Sequence, residues 1–151
     1  MLSDCLFCKI VMREVHAHIF YEDEFHIAFL DIYPITKGQT LVIPKKHHSS
    51  YVFSMTDQEY LSLMQVSKIV ATAIDAILKA SRTFMVMEGM EIDHAHIKLY
   101  PIYSIRKRTS NEIGEMEYYD GYLSTLHGNR ADDRTLSCLS KQLKSNLSTK
   151  R

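Results

Sequence analysis

Residues 94–101 read His-Ala-His-Ile-Lys-Leu-Tyr-Pro, a strict alternation of polar and apolar side chains that ends in proline. This pattern predicts a half-buried β-strand that stops where proline removes a backbone donor. Successive side chains of a strand point to opposite faces, so His94, His96, Lys98 and Tyr100 share one face. The alternative is a solvated sheet face. The strand presents two imidazoles, an ammonium and a phenol, and this run of basic groups on one face argues against that alternative.

A second chemical pattern is Cys5-x-x-Cys8 near the start of the chain. Leu6, Phe7 and Ile10 recur at helical spacing after Asp4, which predicts a short helix that Asp4 caps and that extends through Met12. A separation of three residues puts both thiols on one helical face, with Cβ atoms about 5–6 Å apart, close enough to share a metal ion. The spacing alone supports a metal site and two buried thiols equally, and a metal would need two further ligands.

The segments that must position these residues are strands and one long helix. Apolar alternation predicts a hairpin of strands 18–22 and 25–31, a third strand 39–44 that ends at Pro44, and a fourth strand 83–87. Gly89 then turns the chain, so that the histidine strand returns antiparallel to the fourth strand. Thr56 and Glu59 have the capping-box spacing, which predicts the start of a long helix. Its apolar stripe is expected to comprise Leu61, Met64, Ala71, Ile74 and Leu78.

The last part of the chain predicts one more helix. Asp132 can cap it, and leucines at helical spacing give it an apolar stripe formed by Leu136, Leu139, Leu143 and Leu147. Cys138 lies among these leucines and is expected to be a small core residue. We therefore expect residues 1–105 to form the main domain. Residues 106–151 would be an extension whose amphipathic helix packs either on the same domain or on a second subunit.

Length and charge limit the functional classes. A chain of 151 residues suits a single α+β domain, and its 18 basic and 18 acidic residues give no general attraction to nucleic acid or to an anionic membrane. The N-terminal segment does not read as a signal peptide, and no apolar run reaches about 20 residues. Three cysteines, an odd number, suit a reducing compartment. We expect a soluble, cytoplasmic protein with no nucleic-acid or membrane partner.

Over about residues 3–101 the chain resembles the histidine triad family, in which three histidines alternate with apolar residues before a proline. The segments 29–32 (Phe-Leu-Asp-Ile) and 41–47 (Leu-Val-Ile-Pro-Lys-Lys-His) also resemble that family, and together with Cys-x-x-Cys they resemble its Hint-like, zinc-containing branch. The resemblance implies an α+β histidine triad fold, in which an antiparallel sheet carries one long helix and short N-terminal and C-terminal helices. It also implies a homodimer.

The resemblance implies catalysis at the α-phosphate of a purine nucleotide or nucleotide conjugate. His96 corresponds to the nucleophile, and the carbonyl of His94 to the acceptor that orients it. Lys98 would bind phosphate, and Asp31, whose alternative role is turn capping, would bind the ribose hydroxyls. The base pocket would be lined by Phe7, Ile10, Ile19 and Phe29, each equally explained as a core residue.

The implied enzyme is a nucleotide hydrolase or nucleotidyl transferase, working through a nucleotidyl-His96 intermediate as a phosphoramidase or a dinucleoside polyphosphate hydrolase. The chain differs from the family pattern at two places, and both affect the expected activity. Lys98 replaces the third histidine, and an ammonium does not readily deliver a proton at neutral pH, which favours good leaving groups such as phosphates. Residues 88–93 replace a Gly-Gln-x-Val segment that contacts phosphate in the family. The rival hypotheses are a non-catalytic nucleotide-binding or interaction module, and a zinc-stabilised structural domain.

The resemblance also supplies the missing metal ligands. It implies a zinc site formed by Cys5, Cys8, His47 and His94, with His47 preferred to His48 because it follows Pro-Lys-Lys as the ligand does in the family. Four protein ligands leave no position for water, so this zinc would be structural.

Overall fold

A five-stranded antiparallel sheet organises the computed structural model, which describes residues 4–103, 106–107, 117–118 and 128–148. The strand order is β1-β2-β3-β5-β4, and β6 pairs separately with β7. The α+β class, the antiparallel sheet and its three helices are confirmed. The elements are α1 (Leu6–Val11), β1 (Ile19–Glu22), β2 (His26–Leu30), β3 (Thr40–Pro44), a 3₁₀ turn (Val52–Ser54), α2 (Asp57–Leu78), β4 (Arg82–Val86), β5 (Ile97–Ile102), β6 (Arg106–Lys107), β7 (Glu117–Tyr118) and α3 (Asp133–Ser148).

Both faces of the sheet are covered by helices. On one face, α1 packs Phe7 and Ile10 against residues of β2 and β3, namely Ile27, Phe29, Leu41 and Ile43. On the other face, α2 and α3 pack against the alternate residues, including Ala28, Leu30, Val42, Ile97 and Leu99. Residues 94–101 are consequently all buried, and the prediction of a half-buried strand was wrong. Alternation reports opposite faces, whereas burial depends on what each face meets.

Strand β5 also begins later than predicted, at Ile97. Its pairing with β3 ends at Val42↔Ile97, and the backbone N–H groups before that point donate elsewhere. The N–H of His94 donates to the carbonyl of Ile92, and that of Ala95 donates to the carbonyl of His48. His94 and His96 therefore lie just before the strand, and the Ala95 N–H between them bonds this segment to the loop that follows β3.

Helix α2 begins at the predicted capping box. The backbone N–H of Glu59 donates to Thr56 Oγ1, and the Thr56 N–H donates back to Glu59 Oε2, both at 3.3 Å. The predicted stripe was partly wrong, because Leu61 is 57 % exposed. The apolar residues that are buried are Leu63, Val66, Val70, Ala73 and Ile74. Apolar residues such as Leu61 and Ile69 also flank the buried stripe, so the apolar pattern alone centred the predicted stripe on the wrong residues.

By length and composition α2 could also cross a membrane, since an 18-residue window of it has a mean hydropathy of 1.5. Of that window, 33 % is buried inside the structure. The helix lies against the central strands of the sheet, and the core helix of a soluble protein meets the same criterion.

The first and last helices differ in how well they were predicted. Helix α1 begins at Leu6 with Cys5 as its N-cap, so the predicted cap at Asp4 was wrong. Asp132 caps α3 as predicted, with its Oδ2 accepting from the Thr135 N–H at 2.8 Å. The predicted leucine stripe of α3 is confirmed, since it enters the core beside α2 and β1. Cys138 is exposed, against expectation, because it points away from that stripe.

The segment before α3 lies along the loop that follows β2. The N–H of Gly128 donates to the Tyr33 carbonyl at 3.0 Å, and the N–H of Ala131 donates to the Ile32 carbonyl at 2.7 Å. A Cβ at Gly128 would lie 2.2 Å from the carbonyl oxygen of Pro34, so only glycine permits this approach. Most of residues 104–127 lie outside the described residues, and with them much of the predicted extension 106–151.

Candidate functional site

A cavity of about 230 Å³ lies between α1 and the sheet. It is lined by almost every residue predicted for catalysis and nucleotide binding: Phe7, Ile10, Phe29, Asp31, His96 and Lys98. Ile19 does not line the cavity and packs beside the α1 face of the core. His94 is buried and does not line the cavity, and its carbonyl oxygen accepts from His96 Nδ1. The sequence reasoning missed other lining residues, among them His16, Tyr33 and Glu91.

The His96 ring is fixed by two contacts. Its Nδ1 donates to the carbonyl oxygen of His94 at 2.7 Å, which leaves Nε2 with a lone pair. The Phe7 ring meets the imidazole edge to face, with centroids 5.3 Å apart. Burial lowers the pKa of His96 and the Lys98 ammonium lowers it further, against the hydrogen bond to His94 and the carboxylates of Glu88 and Glu91, which raise it. The ring is therefore neutral and nucleophilic at neutral pH.

Lys98 forms a buried ion pair that the sequence reasoning missed. The residue is 5 % exposed, and its Nζ lies 2.5 Å from Glu88 Oε1. The register explains the pair, because Lys98 lies opposite Val86 and Glu88 follows two residues later along the same strand direction. Oppositely charged side chains on adjacent strands were the available signal, but it could be used only with the register known.

Asp31 lies at the end of β2, 7 % exposed, on the cavity wall. Its Oδ1 accepts from the Tyr33 N–H at 2.8 Å, and its Oδ2 accepts from Gln39 Nε2 at 2.6 Å. The first contact is the turn cap considered as an alternative role. Each carboxylate oxygen keeps a second lone pair, so the same residue can also accept from hydroxyl groups in the cavity.

Four metal-ligating side chains meet beside this cavity, and they are the four named from sequence: Cys5, Cys8, His47 and His94. Cys5 Sγ lies 3.4 Å from His94 Nδ1, and Cys8 Sγ lies 3.4 Å from His47 Nδ1 and 3.6 Å from His94 Nδ1. Zinc bonds of about 2.3 Å to sulfur and 2.0 Å to nitrogen set S···N edges of about 3.5 Å in a tetrahedron. The donor set therefore fits a zinc ion.

The protonation states of His94 and Cys8 determine what a metal ion must do to bind them. His94 Nε2 donates to the Pro44 carbonyl at 2.9 Å, which leaves Nδ1 as the ligand atom. Burial lowers the pKa of His94 to about 4, so the ring is neutral. Burial and the Cys5 thiol raise the pKa of Cys8 to about 11, so a cation must displace its proton. His48 lies apart from the set, with its Nε2 3.4 Å from Glu59 Oε1.

Comparison with models of protein families assigns the chain to a family. The HIT domain model matches residues 12–103. The chain belongs to the HIT family. HIT abbreviates histidine triad, so the family resemblance seen in the sequence is confirmed. The fold predicted from it is confirmed as well, since solved HIT proteins have the same architecture.

Three relatives show how this HIT protein compares with its family. A hypothetical histidine triad nucleotide-binding protein from Sulfolobus tokodaii superposes with a TM-score of 0.74 at 30 % identity, covering 96 % of this chain and 93 % of that one. A Zn-bound histidine triad family protein from Mycobacterium smegmatis gives 0.73 at 23 % identity, covering 99 % and 96 %. The adenosine 5′-monophosphoramidase HNT1 of Saccharomyces cerevisiae is 31 % identical over 103 residues, 64 % of this chain and 61 % of HNT1.

Proposed function

We propose that this HIT protein is a nucleotide hydrolase or nucleotidyl transferase, which cleaves a nucleoside 5′-monophosphate from a linked group at the α-phosphate. One observation carries the proposal: His96 Nδ1 donates to the His94 carbonyl, so the ring on the cavity wall keeps a nucleophilic Nε2 beside the Lys98 ammonium. The phosphoramidase activity named for the yeast relative belongs to the same reaction class.

The chemistry follows from these groups. His96 Nε2 attacks the α-phosphorus, the new N–P bond forms, and the bond to the leaving group breaks with its electron pair staying on that group, which takes up a proton from water when it is an amine. Water then attacks the phosphorus of the nucleotidyl-histidine, breaks the N–P bond and releases the nucleoside monophosphate. Lys98 offsets negative charge on the phosphate oxygens in both displacements. One difficult step thus becomes two easier ones.

The remaining cavity residues hold the nucleoside. The Asp31 oxygens accept from the ribose hydroxyls, since each has a lone pair beyond its contacts with Tyr33 and Gln39. Phe7, Ile10 and Phe29 form the apolar wall for a purine base. These assignments complete the site proposed for a purine nucleotide or nucleotide conjugate.

We also propose a structural zinc ion held by Cys5, Cys8, His47 and His94, which would place the protein in the Hint-like branch. When bound, zinc ties α1 to the segment before β5, with no open position for water. His94 links this cluster to the nucleophile, because its ring is a ligand and its carbonyl orients His96. The metal would therefore act on catalysis only by holding that segment in place.

The setting that we propose is a homodimer in the cytoplasm, without nucleic-acid or membrane partners. The balanced charge of the chain supports the absence of nucleic-acid and membrane partners. The position of β4 at the edge of the sheet, where a second copy could pair, supports the homodimer.

The test compares wild type with His96→Ala. Each is mixed with an adenosine phosphoramidate or a diadenosine polyphosphate, quenched early, and examined by intact-protein mass and for released AMP. We expect wild type to form a nucleotidyl adduct or release AMP, and the variant to do neither while unfolding at a similar temperature. Equal AMP release by both proteins would reject the mechanism. Saturable nucleotide binding without either product would establish the binding module instead.

A further inference from the structure

In the part of the chain that the structure describes, carboxylates outnumber ammonium and guanidinium groups on the cavity wall near His96. Among the described residues that line the cavity, Lys98 is the only lysine or arginine, and Glu91 lies on the same wall. Glu88 is bonded to Lys98 at 2.5 Å. Of the groups described here, the ammonium of Lys98 is thus outnumbered by the carboxylates of Asp31, Glu88 and Glu91, and those of both glutamates act on the neutral His96 ring.

The ion pair with Glu88 limits how strongly Lys98 can bind a substrate phosphate. The ammonium is 5 % exposed and already paired, so an incoming phosphate must share it with Glu88. The α-phosphate of a substrate is a diester or an ester amide that carries a single negative charge, and it can be accommodated. Each additional phosphate brings more negative charge toward the carboxylates of Glu88 and Glu91, and like charges repel.

Building on the function proposed above, we infer that Glu88 determines specificity by charge. Acting through Lys98 and together with Glu91, it rejects nucleotides that carry further phosphates and favours an α-phosphate whose leaving group is neutral or cationic. Lys98 considered alone predicted the opposite preference for phosphate leaving groups. The difference comes from the carboxylate that the β4–β5 register places beside the lysine.

The experiment measures binding, so that it does not depend on turnover. In a His96→Ala background, the dissociation constants of AMP, ADP and ATP are measured by calorimetry without magnesium. We expect AMP to bind at least about tenfold more tightly than ATP. Adding Glu88→Gln should bring this ratio close to one, mainly by tightening ATP. Glu24→Gln removes the same charge from an exposed turn and should leave the ratio unchanged.

A second variant keeps the test decisive if Glu88→Gln fails to fold, since that substitution leaves a buried ammonium without its carboxylate. Glu91→Gln removes a carboxylate from the cavity wall and keeps the Lys98–Glu88 pair, so it should shift the ratio in the same direction by a smaller factor. An ATP affinity equal to that of AMP in the parent overturns the inference. So does a ratio that neither folded glutamine variant changes.

The same proteins separate this inference from the proposed enzyme. Selective AMP binding that depends on Glu88, in a wild-type protein that forms no adduct and releases no AMP, would reject the enzyme and support charge selection. Turnover of both substrates at comparable kcat/KM by wild type would support the enzyme and overturn charge selection. Failure of every nucleotide to bind would reject both.

Discussion

At the scale of single residues, the side chains of His96, just before β5, and of Lys98, within it, are polar yet buried. The sheet brings His94, His96, Lys98 and Tyr100 to 5 % exposure or less. A buried polar group normally has a partner, because an unpaired one loses its hydration without compensation. Three of these side chains have partners among the described residues, and Tyr100 is the exception.

Replacing Tyr100 by phenylalanine should not destabilise the protein. The phenol is 1 % exposed, and its oxygen has no hydrogen-bond partner among the described residues. Burial, together with the Glu88 and Asp31 carboxylates, raises its pKa to about 12, so the hydroxyl stays neutral. We expect Tyr100→Phe to unfold in urea with a free energy equal to wild type or higher by about 1 kcal/mol. A loss above about 1 kcal/mol would mean that the hydroxyl is paired.

At the scale of elements, the start of α2 is stabilised by a carboxylate. Glu59 accepts from the Lys46 ammonium at 2.7 Å and from the Thr56 hydroxyl at 2.8 Å, in addition to its capping-box contact. These contacts lower the pKa of Glu59 from 4.5 to about 2. A folded-state pKa below the unfolded value means that ionised Glu59 stabilises the folded protein.

The stability that Glu59 contributes should depend on pH in one direction. It is fully present above about pH 4.5 and is lost as the pH falls from there toward about 2. Glu59→Gln should therefore lower the urea midpoint at pH 7 and lower it less at pH 3. Urea titrations at both pH values measure this difference, with exposed Glu24→Gln as the control. An equal loss for Glu59→Gln at both values would show that its charge is not what stabilises the helix.

At the scale of the whole molecule, the four-ligand cluster joins elements that are distant in sequence. Cys5 and Cys8 come from α1, His47 follows β3, and His94 precedes β5. If zinc occupies the cluster, Cys8→Ser should lower the free energy of unfolding by more than about 2 kcal/mol and reduce the zinc measured per chain. Exposed Cys138→Ser is the matched control and should change stability by less than about 0.5 kcal/mol. A Cys8→Ser protein as stable as wild type would reject the structural metal.

Sequence predicted the architecture of the molecule better than its burial. The antiparallel pairs β1–β2 and β4–β5, the capped long helix and the meeting of Cys5, Cys8, His47 and His94 follow from local patterns and from the family resemblance. The Glu88–Lys98 pair could not be predicted, because it depends on the register between β4 and β5. The buried face of α2 was missed for a related reason. A helix with exposed apolar residues beside its buried stripe takes its orientation from its neighbours, which a local pattern does not contain.

The packing of α3 has a consequence for synthesis on the ribosome. Leu136, Leu139 and Leu143 fill the core between α2 and β1, while the family match ends at residue 103. A nascent chain that has completed all five strands of the sheet therefore still exposes the apolar surface of β1 and α2. That surface stays exposed until the final helix emerges, and exposed apolar surface makes such an intermediate prone to aggregation.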